Sequence, residues 1–279
     1  MVTEDGRIRI SARGGFESRW MIGQRVRILC RAGSWIDGFV CGRSAHGVPA
    51  KDRDKPIPPV EELEVYVGAE NREDVESLGA HPGAPVTFAG QIEPLNPDYF
   101  PGVVAGPSMD DLCAVVAMLG FMDRTWRALT RSTLHFVATT REEMGGLGAV
   151  AAARRLEPTH VLALDIGVVE SAPEAIPTGV KLGGGPVVVW QDSSGRNVYD
   201  YDSCNELVDC AREVGLPVQE AVFQFYGSDA SHVQSALGVP ANLVAIPTMF
   251  SHNVPEVVDL RDVECCERLV ARWLEKRWA

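Results

Sequence analysis

Leu134-His135-Phe136-Val137-Ala138-Thr139-Thr140-Arg141-Glu142-Glu143-Met144-Gly145-Gly146 runs from an apolar stretch through an acidic corner to a glycine pair. Residues 134–138 read as a buried strand, and the small residues from Gly145 onward read as a helix. Strand, corner and helix in that order are the repeating unit of a layered α/β fold. Two adjacent carboxylates at such a corner repel each other and resist the loss of water. Either a metal ion sits against Glu142 and Glu143, or the pair forms a solvated surface turn. The stretch by itself does not choose.

The chain on either side extends the α/β pattern. A helix with an apolar face is predicted over 110–124, with Ser108 or Asp110 as its cap. Then follow helix 146–156, strand 160–164, strand 187–190, helix 203–214, strand 219–225, helix 229–237, strand 242–246 and helix 261–276. Residues 7–90 have a different texture. Short alternating segments at 7–10, 24–30, 35–41, 63–67 and 85–89 are separated by glycine and proline, which predicts a small all-β module. Residues 45–56 read as an exposed loop. The expected organisation is a small β-barrel-like domain over 1–98 and an α/β domain over 99–279.

Composition narrows the class of function. A chain of 279 residues can bury a full core. The net charge of -12 argues against a general nucleic-acid binder, which needs clustered Lys and Arg against phosphate. No apolar run is long enough to span a bilayer, and the opening Met1-Val2-Thr3-Glu4-Asp5-Gly6 has no signal-peptide core. Seven scattered cysteines without C-x-x-C spacing suit a reducing cytosol better than a disulfide framework or a zinc ribbon. Neither a membrane nor a nucleic acid is expected as a partner.

In the α/β half, acids and a histidine fall where strands end. Asp110-Asp111 opens a helix, Glu142-Glu143 follows a strand, Asp165 ends the apolar run 161–164, and His252 follows strand 242–246. Ligands of open α/β sheets gather beyond the carboxyl ends of strands. Carboxylates with a histidine there suit a pair of divalent cations such as zinc or cobalt. Each also has a plainer reading. Asp110 alone is more simply a helix cap, Asp165 a turn cap before Gly167, and His252 a loop histidine. Asp229 reads as the cap of helix 229–237, and His232 as a packing or surface residue. His46, His81, His135 and His160 have no acidic partner nearby in sequence.

Taken together and in order, these segments resemble the family of glutamyl aminopeptidases, tetrahedral aminopeptidases and cellulase-M proteins, which are dinuclear metallopeptidases. Thr140-Arg141-Glu142-Glu143-Met144-Gly145-Gly146-Leu147-Gly148-Ala149 resembles the family's Glu-Glu-x-Gly-x-x-Gly-Ala block. Asp110-Asp111, Leu164-Asp165, Tyr226-Gly227-Ser228-Asp229-Ala230, and Pro247 through His252 to Glu256 match further family segments. Gly23-Gln24-Arg25-Val26 and Leu63-Glu64-Val65-Tyr66-Val67-Gly68-Ala69 are similar to its inserted β domain.

The resemblance implies a three-layer mixed-sheet metallopeptidase domain with a smaller all-β assembly domain. It implies two divalent ions, zinc or cobalt, with Asp110 bridging them, Glu143 and His252 completing one site and Asp165 belonging to the other. Glu142 would be the general base of a cytosolic aminopeptidase that releases N-terminal residues from peptides. A homo-oligomer is implied as well. The family also carries a histidine in a His-x-Asp segment on a strand before its β domain. No His-x-Asp occurs in this chain, and the family's opening helix and strands find no match. The metal site of Asp165 is therefore expected to be weakened. Two other readings follow: a catalytically impaired paralogue serving as a binding or assembly subunit, and a glycan hydrolase, suggested only by the cellulase label.

Overall fold

The protein is represented by a computed structural model, which describes residues 1–42, 46–52, 55–125, 132–170, 175–193 and 197–278, with only the backbone of 124 and 125. It divides into two compact units: residues 1–92 with the turn 252–255, and residues 93–251 with 256–279.

The first unit is built on five antiparallel strands: β1 (Arg7–Arg9), β2 (Arg25–Leu29), β3 (Trp35–Val40), β4 (Glu64–Tyr66) and β5 (Val86–Phe88). Their order in the sheet is β1-β4-β3-β2-β5. The alternation read from the sequence is the alternation of the pleat. Val26 and Ile28 of β2 turn into a core shared with Val40, Val65 and Val75, while Arg25 and Arg27 face out. Two short helices, α1 (Ser18–Met21) and α2 (Arg72–Ser77), close the unit. The side chain of Asn71 caps α2 by accepting the Asp74 N–H at 2.9 Å. Within the predicted 45–56 loop, the described part holds a single 3-10 turn, Ala50–Asp52, and residues 45, 53 and 54 lie outside the described residues.

The second unit is a mixed sheet with helices around it. Its strands are β6 (Glu93–Pro94), β7 (Val103–Gly106), β8 (Val161–Val169), β9 (Val187–Asp192), β10 (Asn197–Val198), β11 (Gln219–Val222), β12 (Ala241–Met249) and β13 (Glu256–Asp259). Strand β12 is the spine of this sheet. All nine of its residues pair in parallel with β8 on one side. On the other side it pairs antiparallel with β9 and then with β13. Beyond these lie β11 and β10 against β9, and β7 with β6 against β13. Eight consecutive residues of β12 are buried, as expected of a strand covered on both faces.

The helices are α3 (Met109–Thr125), α4 (Leu147–Leu156), α5 (Tyr201–Glu213), α6 (Asp229–Leu237) and α7 (Leu260–Trp278). α7 packs against α3 and α5, whereas α4 packs against α6. The largest core gathers Val187–Val189, Leu243–Ile246, Leu207, Leu269 and Trp273. No helix among the described residues is long and apolar enough to cross a membrane.

Three expectations change. Residues 134–138 are not a strand: the segment has no regular secondary structure and pairs with no strand among the described residues. An apolar run becomes a strand only when a neighbour takes its backbone hydrogen bonds. Strand 160–164 is longer than its apolar run suggests, so Asp165 sits in the middle of β8 rather than capping a turn before Gly167. Asp229 does not cap α6 either. Ser228 does, in a capping box with Ser231.

Candidate metal centre

Asp110 and Asp111 stand at the head of α3 with non-helical backbone angles, so the regular helix begins only after them. The side chain that accepts from the first turn is that of Asp111, from the backbone of Ala114, so Asp110 is not the cap. Its N–H donates to Oε2 of Glu256 at 3.0 Å, and Glu256 is buried on β13. A carboxylate on one strand thereby fixes the backbone that presents Asp110.

The acidic corner folds tightly. Arg141 takes a left-handed conformation, Glu142–Met144 form a 3-10 turn, and the N–H groups of Gly145 and Gly146 both donate to the Glu142 carbonyl at 2.9 Å. Both glycines have positive φ. A Cβ on Gly146 would come within 2.5 Å of His232 Cβ, so only glycine lets the corner lie this close to α6. His232 is a packing residue there. A second tie comes from Thr139, whose hydroxyl donates to Oδ2 of Asp229 at 2.5 Å. Asp229, the first residue of α6, therefore braces the corner.

Asp165 is buried, and its Oδ1 accepts the Ile166 N–H at 2.7 Å. Burial pushes its carboxyl well above the usual range, and the charges of Asp111, Asp110 and Glu142 push the same way. Asp111 is raised for the same reasons, burial first and Asp110 next. Asp229 is raised by burial, against the pull of its bond from Thr139.

Asp110, Asp111, Glu142, Glu143, Asp165 and Asp229 all line one cavity of about 850 Å³. Neither lysine nor arginine lines it among the described residues. Six carboxyl groups lining one cavity repel one another when charged, and a bound cation would relieve that repulsion. Ligand atoms of Asp110, Glu143 and His252 all lie within 4.8 Å of one another. Donors held about 2.1 Å from a single ion stand up to about 4.2 Å apart, so this group nearly closes on one ion. Two carboxylates and an imidazole form a mixed O/N set that fits a borderline divalent cation. Asp165 and Glu142 stand outside that trio but within reach of its field.

Reading the sequence missed Glu256 as a support for Asp110 and Thr139 as the brace on Asp229. Tyr226 was missed as well; it is part-buried, and its hydroxyl donates to the Ile166 carbonyl at 2.7 Å. Each is a single polar side chain without a pattern around it, and it acquires meaning only with a partner far along the chain.

Comparison with known proteins agrees with the geometry. The lysyl aminopeptidase of Pyrococcus furiosus is 27% identical over 279 residues, spanning 99% of this chain and 77% of that protein. The fold matches an aminopeptidase from the archaeon Desulfurococcus kamchatkensis with a TM-score of 0.89 at 26% identity, covering 100% of this chain and 75% of the other. It also matches the TET1 peptidase of Pyrococcus horikoshii, which assembles into a tetrahedron or a large octahedral shell, with a TM-score of 0.84 at 26% identity over 97% of this chain and 77% of that one. The family model of the M42 glutamyl aminopeptidases matches residues 1–269, and the chain belongs to that family.

Proposed function

We propose that the protein is a metal-dependent aminopeptidase that removes N-terminal residues from peptides. The observation that carries this reading is the convergence of Asp110, Glu143 and His252 within 4.8 Å, in a cavity also lined by Glu142 and the buried Asp165, in an M42 chain. Asp110, Glu143 and His252 would hold one divalent ion, zinc or cobalt. Asp165, with Asp110 shared, would hold a second. When bound, such ions polarise a carbonyl and lower the pKa of a water molecule.

The chain's own residues do the rest. Glu142 is the general base: its carboxylate accepts a proton as the water oxygen bonds to the scissile carbonyl carbon. It returns that proton to the amine nitrogen as the C–N bond breaks. The 3-10 turn and its two glycines hold Glu142 in place, so the base is pre-positioned.

Glu142→Gln keeps size and ligands but cannot take up a proton. Its kcat on an aminoacyl amide should fall by about 10²- to 10⁴-fold while calorimetry shows metal uptake as in the wild type. Unchanged turnover would remove Glu142 from the mechanism. Uptake of at most one ion, with no hydrolysis under any metal, would instead favour an impaired paralogue that serves as a binding or assembly subunit.

A homo-oligomer is part of the same proposal, since the TET1 peptidase of Pyrococcus horikoshii assembles into closed shells. The first unit offers a surface for it: Trp35 and Phe39 project from the same face of β3 and remain exposed. All seven cysteines are free thiols, which supports a reducing compartment such as the cytosol.

A further inference from the structure

Strand β8 pairs with β12 along its whole length, and on that side the Val161 N–H donates to the Pro240 carbonyl at 3.0 Å. Backbone groups of successive residues in a strand point to opposite sides, so those of Ile166 and Val168 point away from β12. Among the described residues no strand meets them there. Side chains do so instead. The Tyr226 hydroxyl donates to the Ile166 carbonyl at 2.7 Å, and the Thr178 hydroxyl donates to the Val168 carbonyl at 2.8 Å. The Ile166 N–H goes to Oδ1 of Asp165 at 2.7 Å. Backbone groups without partners are costly when buried, and these three bonds satisfy them one at a time.

Tyr226 is held at both ends. Its own carbonyl accepts the N–H of Ser193 at 2.8 Å and the Ser193 hydroxyl at 2.9 Å, immediately after β9. Its ring lies 5.0 Å from that of Phe223, whose N–H donates to the Gln191 carbonyl at 2.9 Å. The side chain is thus a strut from the end of β9 to the middle of β8, and it lands on the residue that follows Asp165. Burial, and next the charge of Asp165, push its hydroxyl well above the usual tyrosine range, so it keeps its proton and goes on donating at neutral pH.

Asp165 has two carboxylate oxygens, and Oδ1 is already committed to the Ile166 N–H. A turn of the peptide between Asp165 and Ile166 would carry that N–H away, and the carboxylate with it. Strand β12 fixes the Asp165 side of this peptide, and Tyr226 fixes Ile166 from the far side. We propose that Tyr226 is a positioning residue for the second divalent ion: by holding Ile166 it keeps Oδ1 of Asp165 on the Ile166 N–H and leaves Oδ2 as the ligand atom. This role rests on the assignment of Asp165 to that ion. Tyr226 itself binds neither metal nor substrate.

The test is a calorimetric titration of the full chain with zinc, without substrate. The wild type should take up two ions in two steps, the tighter at Asp110, Glu143 and His252. Tyr226→Phe keeps the ring against Phe223 and loses only the donor. It should weaken the second step by about 10- to 100-fold and leave the first unchanged. Thr178→Val removes the neighbouring hydroxyl from the same strand edge and should alter neither step. An unchanged second step in Tyr226→Phe would overturn the proposal, because Asp165 would then be oriented without the phenol. Equal weakening of both steps would also overturn it, since Tyr226 would then support the fold in general. So would a matching loss in Thr178→Val, which would mean that any hydroxyl on this edge serves. A wild type that takes up a single ion would remove the second site and the role of Tyr226 together, whereas two wild-type steps that Tyr226→Phe leaves intact would remove Tyr226 alone.

Discussion

Glu256 contributes nothing to the trio of Asp110, Glu143 and His252, yet it holds the backbone of the first of them. Its Oε2 accepts the Asp110 N–H at 3.0 Å from a buried position on β13. Groups that orient metal ligands typically matter by 10- to 100-fold in affinity. Glu256→Ala should therefore weaken zinc binding by about 10- to 100-fold in a competition titration, whereas Glu256→Gln, whose amide oxygen can still accept that bond, should lose less. Equal losses in the two variants would mean that the charge of Glu256 matters rather than its hydrogen bond. A second residue-scale expectation concerns Tyr199, whose hydroxyl donates to the fully buried Asp192 at 2.5 Å. Among the described residues, the other side-chain donor to Asp192 is Asn197, at 3.1 Å. Tyr199→Phe leaves a buried carboxylate oxygen short of a donor and should cost about 1–3 kcal/mol in denaturant unfolding. A variant as stable as the wild type would contradict that account.

At the scale of elements, legibility in the sequence depended on whether an element's partners are local. Helices α4, α5, α6 and α7 carry their own periodicity, with side-chain caps on α5 and α6, and they were readable to within a residue or two. The short strands β7 and β13 were not read as strands. Each is four residues long and pairs along its whole length with the other, about 150 residues away. The opposite error was the strand expected at 134–138, whose apolar pattern is real but which pairs with no strand among the described residues. The acids of the candidate site were legible because carboxylates in succession at strand and helix ends are costly without a purpose. Their supports Glu256 and Thr139 were not, because a single polar residue carries no pattern. One element also couples stability to pH. His160, just before β8, lies against Trp273 and Trp278 and must donate from Nε2 to reach Asn242 Oδ1 at 2.9 Å. Burial lowers its pKa, and Arg277 adds to the effect. The folded protein therefore binds fewer protons here than the unfolded chain, and the contribution present above about pH 6.5 is lost as pH falls through the folded pKa. The urea midpoint of the wild type should drop more steeply below about pH 6.5 than that of His160→Gln. Parallel slopes would show that His160 titrates alike in both states.

At the scale of the whole molecule, assembly must work against charge. Each copy carries a net charge of -12, so the proposed homo-oligomer would concentrate negative charge on one particle. Contacts through apolar residues such as Trp35 and Phe39 gain little from salt directly. The repulsion between copies does respond, because the screening length falls from about 30 Å at 0.01 M to about 8 Å at 0.15 M. If apolar contacts hold the proposed homo-oligomer together, its mass by light scattering should rise over that range of salt, and Phe39→Glu should keep it small throughout. A mass that falls with added salt would mean that ion pairs between copies hold the particle instead. A single-chain mass at every salt concentration would remove assembly from the account, leaving the exposed face of β3 without a purpose.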